Sequence, residues 1–446
     1  MNSLQQCVKD FVDQQNPKRV LLAFSGGLDS QTLLHLTAMA ETGKHVVAIH
    51  INHGLSDQAQ KWQEHCEEVC ADYKVEFRAL AVQVTDQGKG LEAAAREARY
   101  QALETEMEAG DLLLMAHHLD DQIETFFLRL LRGAGLDGLS SMAPTRAFGL
   151  GVLGRPLLEK TRAELVDYAS DQGFAWIEDE SNQDTRFDRN FLRHELFPII
   201  SKRWPMYRKT VGRAVQHIQK VAGETNEHFQ NELEHRLTYD GAMKVVGLGE
   251  QSELSETDQI SLIHHWIKTQ GVESPSEKQL GEIYRSVALA KADAEPVVEV
   301  GEYSVRRFKS AMFLVPKLPP IDVREFQLTP DNPKHISGLG LVELQSKTAD
   351  GQKVLLSNRC LPLKLSFRLG GEIARPAGRH GRRDLKRLLQ EYRVAPWWRD
   401  ITPLAYWQGQ LVAVGDLFVC DGFQAEPGEQ GFELVWQKPS MQDNPH

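Results

Sequence analysis

The sequence predicts an α/β fold built on a parallel sheet, followed by a small helical domain and a C-terminal mixed, strand-rich domain. Three observations carry this prediction. Between Lys18 and Pro156 short apolar runs alternate with amphipathic stretches. From about residue 216 to 300 helical periodicity dominates, and the last hundred residues favour strands. Strands separated by helices need crossover connections, and such crossovers produce parallel sheets.

The apolar runs are RVLLAF (19–24), HVVAIHI (45–51), VEFRALAV (75–82) and DLLLMA (111–116), with helical stretches at about 30–41, 57–73, 91–108 and 121–132. Thr161-x-x-Glu164 forms a capping box that opens another helix. Farther on, Gly271 closes a helix, and Ser274, Pro275 and Glu277 read as N-cap, N1 proline and N3 acid of the next. VVEVGEYSVRRF and AMFLVP follow as strand-like pieces. Pro316, Pro319, Pro320, Pro330 and Pro333 then read as a linker, and one helix is expected near DLKRLLQEY. The boundaries are 1–215, 216–316, a proline-rich linker at 317–350, and 351–446.

The chain has 446 residues, 41% hydrophobic and 25% charged, a mix that excludes a disordered polyelectrolyte. No apolar run approaches the roughly 20 residues that cross a bilayer, and MNSLQQCVKDFVDQQNPKRV lacks a signal-peptide core, so no membrane partner and a cytoplasmic location are expected. Five cysteines without a C-x-x-C fit a reducing compartment. Trp62, Cys66, Val69 and Cys70 share one helical face, so the two thiols read as core.

In VLLAFSGGLDSQTLLHL a buried strand runs into Ser25, Gly26, Gly27, Leu28, Asp29 and Ser30, and a helix starts at once. Glycines let backbone amides approach a phosphate, the helix N-terminus adds unpaired donors, and both serines can add hydroxyls. A tight turn with Ser30 as cap is the structural alternative. The stretch lacks G-x-x-x-x-G-K-[ST], so it is no Walker loop. Asp29 would repel phosphate unless a divalent cation bridged them, so Mg²⁺ placed by Asp29 follows from charge balance.

SGGLDS after a strand resembles the PP-loop ATP pyrophosphatases. HINHGLS (50–56), LEAAAREARY (91–100), HHLDDQIETFFLRLLRGAGLDGLSSM (117–142), RPLL (155–158) and WIEDESNQDTRFDRNFLR (176–193) resemble the tRNA(Ile)-lysidine synthetase branch in order and spacing. RLGGEIARPAGR and LKRLLQEYRVAPWWRD resemble that family's last domain. Asn52 departs from the aspartate of many members. The resemblance implies a Rossmann-like PP-loop catalytic domain, a helical tRNA-recognition domain and a C-terminal tRNA-binding domain. It also implies a carbon–nitrogen ligase with ATP, Mg²⁺, L-lysine and the CAU-anticodon tRNA(Ile) as cofactors and partners, a homodimer being left open. ATP adenylates C2–O of the wobble cytidine (position 34) with loss of pyrophosphate, lysine displaces AMP, and codon reading changes from AUG to AUA.

On this reading Asp29, His117 and Asp121 are the catalytic residues. Asp121 and Glu124, three apart on one helix face, would meet lysine, a dication with one carboxylate. Acids complementing a helix dipole are the structural alternative. A base must take a proton from the amine, and Asp121 and His117 both remain candidates. Arg96 is assigned to ATP or lysine, although a Glu92–Arg96 salt bridge is its default. Arg189, Asn190 and Arg193, beside Arg186, are expected to contact tRNA, as are Arg379, Arg382, Arg383, Lys386 and Arg387. Trp397, Trp398, Tyr406 and Trp407 read as core first.

A tRNA thiolase is the nearest rival, disfavoured by the missing C-x-x-C; a non-catalytic nucleotide sensor with an RNA-binding appendage would not need Asp29 or the Asp121/Glu124 pair. The formal net charge of −11 argues against nucleic acid only on average. Residues 186–220 carry +7 and residues 360–400 carry +6, leaving −24 elsewhere. Two basic segments on an acidic body fit salt-sensitive RNA binding.

Overall fold

The computed structural model describes residues 3–52, 54, 58–84, 91–178, 183–238, 241–245, 247–250, 252–291, 294–317, 325–336, 339–349 and 353–438, with the side chains of 91–93 excepted. Parts of the HINHGLS and WIEDESNQ motifs, and the Glu92–Arg96 pair, lie outside the described residues. The chain divides into Met1–Asn226 and Glu227–His446.

In the first unit α1 (Ser3–Gln15), β1 (Arg19–Ala23), α2 (Leu28–Met39), β2 (His45–Asn52), α3 (Ala59–Asp72), β3 (Glu76–Ala81), α4 (Leu91–Thr105) and β4 (Leu112–Leu114) alternate. They are followed by α5 (Leu119–Leu131), α6 (Leu136–Leu139), β5 (Thr145–Phe148), β6 (Gly151–Gly154), α7 (Arg162–Gln172), α8 (Asp188–Phe191), α9 (Phe197–Arg203) and α10 (Tyr207–Glu234). The strand order is β3-β2-β1-β4-β6-β5, parallel except for β5 against β6. The predicted parallel-sheet domain is therefore present. Its apolar runs are continuous because both faces are buried. Val20 and Leu22 of β1 pack with Leu4, Val8, Leu33 and Leu165, whereas Leu21 packs with Val47, Leu103 and Leu113 on the opposite face.

Chain direction across the sheet turns at β1. The next strand in sequence, β2, lies on one side of it and β4 on the other. A crevice opens at such a switch point, beyond the carboxyl ends of the strands. The loop after β1 and the turn after β4 are thereby set opposite one another. At the other end of these two strands Arg19 grips Asp111, Nη2 to Oδ2 at 2.6 Å, with Asp111 buried.

The capping box at Thr161 forms as expected, with Glu164 returning to the Thr161 amide at 2.7 Å. Cys66 and Cys70 are core residues, and burial pushes both thiols up to about 12. Among the described residues no helix is long and apolar enough to cross a membrane.

In the second unit Trp266 is fully buried at the centre of a helical core, its indole donating to the Gly241 carbonyl at 3.0 Å. Val297–Val300, Tyr303–Phe308 and Ala311–Pro316 form antiparallel strands beside it. The expected Ser274 cap is corrected. Ser276 is the N-cap, because its hydroxyl and the Gln279 side chain satisfy each other's amides. Residues 317–350 are not simply a linker either. Phe326–Leu328, Lys334–Ile336 and Gly340–Thr348 are strands, and Leu328, Ile336, Val342 and Leu344 belong to the strand-rich core. Pro330 and Pro333 fall between strands, where a missing N–H costs no ladder bond. Trp398 packs edge-on against Trp436, Trp407 against Phe423, and Trp397 against Phe313, so these aromatics are packing residues.

Replacing Asp111 by alanine leaves Arg19 with the exposed Glu108, 3.4 Å away, as its remaining carboxylate partner. Loss of such charged hydrogen bonds costs about 1.5–3 kcal/mol. Chemical denaturation should register a loss of that size in the first unit's transition.

Candidate active site

The loop after β1 is shaped by contacts that admit only glycine at position 26. Gly26 has φ +79°, and a Cβ there would stand 2.6 Å from Ile177 Cδ1 and 2.8 Å from Cys66 Sγ. The Ile177 amide donates to the Gly26 carbonyl at 3.0 Å, so the chain after α7 closes the back of the loop. Gly27 is the helix N-cap without a side-chain cap bond, and the first amides of α2 have no partner within the helix. Ser30 is buried and donates its hydroxyl proton to the Gly27 carbonyl at 3.0 Å. It therefore braces the loop while also lining the cavity that the loop borders. Ser25, at 3.1 Å from Ser30 Oγ, is exposed at the rim. Leu28 is buried, leaving its backbone amide as its contribution.

Across the switch point, β4 delivers His117 and His118. His118 caps α5. Its Nδ1 accepts from the Asp121 amide at 3.4 Å, and Asp121 Oδ2 accepts from the His118 amide at 3.1 Å. The ring's other nitrogen, Nε2, lies 3.5 Å from Asp29 Oδ2 and 3.5 Å from Asp121 Oδ2. Burial alone would lower the His118 pKa, but the carboxylates of Asp121, Asp29 and Asp120 raise it overall. Burial works against ionised Asp121 too, yet His118, His117 and Arg189 hold it below the usual carboxylate range. Asp29 Oδ1 is buried and lacks a hydrogen-bond partner among the described residues.

Asp29, Asp121 and His117 line a cavity of about 410 Å³, with His118 buried behind the two carboxylates. Its apolar wall includes Ile49, Ile51, Trp62, Leu103 and Met115, and its polar edge Ser25, Asp29, Arg99, His117 and Asp121. From the α4 stretch it is thus Arg99 that lines the cavity. Arg96 is exposed and lies over the Tyr100 ring, 4.9 Å from its centroid, donating to the hydroxyl at 3.3 Å.

Glu124 is 1% exposed and not among the lining residues. Arg193 holds it with two hydrogen bonds, at 2.8 and 3.0 Å, and Arg189 Nε lies 3.2 Å away. Burial pushes the Glu124 pKa up against the pull of both guanidiniums. Arg193 sits in a π-helical turn, Leu192–Leu196, between α8 and α9. Such turns re-aim side chains within a helix. Arg189 and Arg193 reach inward onto carboxylates while about a third of each side chain stays exposed. One expectation needs correction here: Asn190 is buried, its side-chain amide donating to the Asp184 carbonyl at 3.0 Å, so it offers little surface to an RNA.

In the second unit Arg379 and Arg383 both bond Glu391, at 2.7 and 2.5 Å, with Arg387 at 3.8 Å. Arg382 and Lys386 are exposed beside them. Two carboxylates, Asp384 and Glu391, against five cations leave residues 379–391 net positive. Sequence reasoning missed His118 and Arg155. The His118/Asp121 spacing is that of an N-cap and its N3 partner, which was the available signal.

Comparison with known proteins follows this geometry. A PP-loop domain family matches residues 1–200, the TilS substrate binding domain residues 252–312, and the TilS substrate C-terminal domain residues 363–436. The tRNA(Ile)-lysidine synthase of Pectobacterium atrosepticum is 38% identical over 426 residues, covering 94% of each chain. That of Vibrio vulnificus is 38% identical over 445 residues, covering 98% of this chain and 100% of the other.

Gly26→Ala should weaken ATP binding about tenfold or more, since left-handed strain plus the Ile177 contact costs on the order of 1–3 kcal/mol. Calorimetric titration with ATP checks this, alongside a melting curve to show that the fold persists.

Proposed function

Because the chain belongs to the tRNA(Ile)-lysidine synthase family, we propose that it joins L-lysine to C2 of the wobble cytidine of a CAU-anticodon tRNA(Ile), using ATP. Cytidine O2 attacks the α-phosphorus; the new O–P bond forms as the bond to pyrophosphate breaks. The lysine side-chain amine then attacks C2, the C2–O bond breaks, AMP leaves and the amine loses a proton.

The observation that carries this reading is the meeting of the β1 loop, Asp29 and Asp121 in one cavity, with buried His118 between the two carboxylates. Amides of the loop and of the first turn of α2 suit phosphate oxygens, and the apolar wall suits a purine ring. Arg99, Arg146 and Arg155 have no carboxylate partner among the described residues, a charge excess that a polyphosphate would balance. The partnerless Asp29 Oδ1 fits Mg²⁺, which is commonly held by one carboxylate plus substrate phosphates. When bound, the ion would neutralise charge on the departing pyrophosphate.

Of the Asp121/Glu124 pair, Asp121 is the acid that reaches the cavity and so is the residue for a lysine ammonium group. Glu124 acts beneath it, holding Arg193 and Arg189, and Arg193 also lies 3.7 Å from Asp121. An arginine fork beside an acid suits the carboxylate and amine of an amino acid. Arg379, Arg382, Arg383, Lys386 and Arg387 are assigned to the tRNA backbone, where cations act largely without regard to sequence. A thiolase is disfavoured further, because Cys66 behind the loop has its thiol pushed up to about 12 and a thiolate is what sulfur transfer requires. The five free cysteines support a reducing, cytoplasmic setting.

Incubation with ATP, Mg²⁺, radiolabelled lysine and bulk tRNA should place label in RNA, and absence of label refutes the assignment. Asp29→Asn should stop pyrophosphate release. Glu124→Ala should leave that release nearly unchanged while raising the KM for lysine roughly tenfold or more; an unaltered lysine dependence would contradict its role.

A further inference from the structure

His117 lines the cavity, and its neighbours fix which of its nitrogens carries the proton. Arg155 Nε lies 3.3 Å from His117 Nδ1. A guanidinium has only donors and keeps its charge, so Nδ1 must accept and the ring proton sits on Nε2. Arg155 cannot readily turn away. It is 6% exposed, its Nη1 donates to the Ala143 carbonyl at 2.7 Å, and its amide donates to the Pro144 carbonyl at 2.9 Å. That segment is pinned in turn by Gln122, which exchanges two 2.8 Å bonds with the Met142 backbone.

The surroundings oppose a second proton on the ring. Burial is the largest effect, Arg155, Arg189 and Arg96 add to it, and Asp121 opposes it, leaving His117 pushed down to about 4. Among the described residues Nε2 has no hydrogen-bond partner, so its N–H is available to a ligand of the cavity.

We infer that Arg155 is a positioning residue, which holds His117 as the neutral tautomer protonated on Nε2, and that His117 donates this hydrogen bond to a phosphate oxygen of the nucleotide. It follows that His117 is not the base that takes the proton from the lysine amine. Neutral imidazole donors of this kind stabilise developing negative charge in other enzymes. The inference rests on reading the cavity as the nucleotide site.

The test uses the full-length protein with ¹⁵N-labelled histidine, the His117 signals being assigned by their loss in His117→Gln. The account predicts a pyridine-type Nδ1 and a pyrrole-type Nε2, unchanged from about pH 6 to 8, the range in which a free imidazole titrates. Arg155→Met should remove this preference and Arg155→Lys should preserve it in part. In pyrophosphate release, His117→Ala should lose on the order of 100-fold, the usual cost of one oxyanion donor. His117→Gln, which keeps an N–H donor but no base, should be markedly faster than His117→Ala. A ring protonated on Nδ1, a ring titrating within that range, or a glutamine variant as slow as the alanine variant overturns the proposal. If the unsubstituted protein releases no pyrophosphate from ATP, the nucleotide reading fails instead, and the ring signals still decide the role of Arg155.

Discussion

One imidazole ties the two sides of the site together. His118 Nε2 is 3.5 Å from Asp29 on the β1 side and 3.5 Å from Asp121 on the β4 side. Two carboxylates facing one nitrogen repel each other, and a group of donor or positive character between them offsets that repulsion. The geometry follows from topology. Strand order reverses at β1, so the ends of β1 and β4 open into one crevice and bring a loop from residues 25–30 against a helix that starts at residue 119. The same nitrogen-capped helix start fixes Asp121, because His118 and Asp121 exchange backbone and side-chain bonds. Asp120, one residue earlier, is used differently: it accepts from the Arg162 amide at 2.8 Å and pairs with Arg208, holding α5 against α7 and α10.

Around this link the charges are unequal in a directed way. Glu124 is matched by two arginines, whereas Arg99, Arg146 and Arg155 have no acidic partner among the described residues. Arg99 lines the cavity and Arg155 abuts His117 at its edge, so positive charge without an acidic partner faces the space that a polyphosphate would fill in the proposed reaction. Asp121, which unlike Glu124 lines the cavity, offers the complementary site for an ammonium group. On the proposed reading, nucleotide and amino acid would take opposite sides of His118. The chain's net charge of −11 conceals this local arrangement as it conceals the basic stretches at 186–220 and 360–400.

Much of this was legible in the residues. β1, β2 and β4 could be read from their apolar runs because they are buried on both faces, and the two glycines after β1 announced a loop that the Ile177 and Cys66 contacts explain. Pairings between distant segments were not legible. Glu124 looks free on its own helix, but Arg193, which buries it, comes 69 residues later and is aimed by a π-helical turn with no evident sequence signal. His117 and His118 are adjacent and chemically identical in sequence. Only the strand-to-helix turn decides that one caps α5 between two acids while the other faces Arg155. The Ser274 cap failed for a related reason. Ser276 has the same chemistry and additionally finds Gln279 three residues on. The prolines after residue 315 suggested a linker, yet apolar residues among them, such as Leu328 and Val342, had a core to join.

The central claim is that His118 couples the nucleotide side of the site to the lysine side. His118→Asn tests it directly, since asparagine remains a good N-cap for α5 but cannot span both carboxylates. Pyrophosphate release without lysine, and lysine-dependent AMP release from tRNA already adenylated by the unsubstituted protein, are followed separately. The account predicts that both rates fall by about tenfold or more, each tenfold corresponding to about 1.4 kcal/mol. A variant in which one step slows and the other proceeds at its full rate would contradict it.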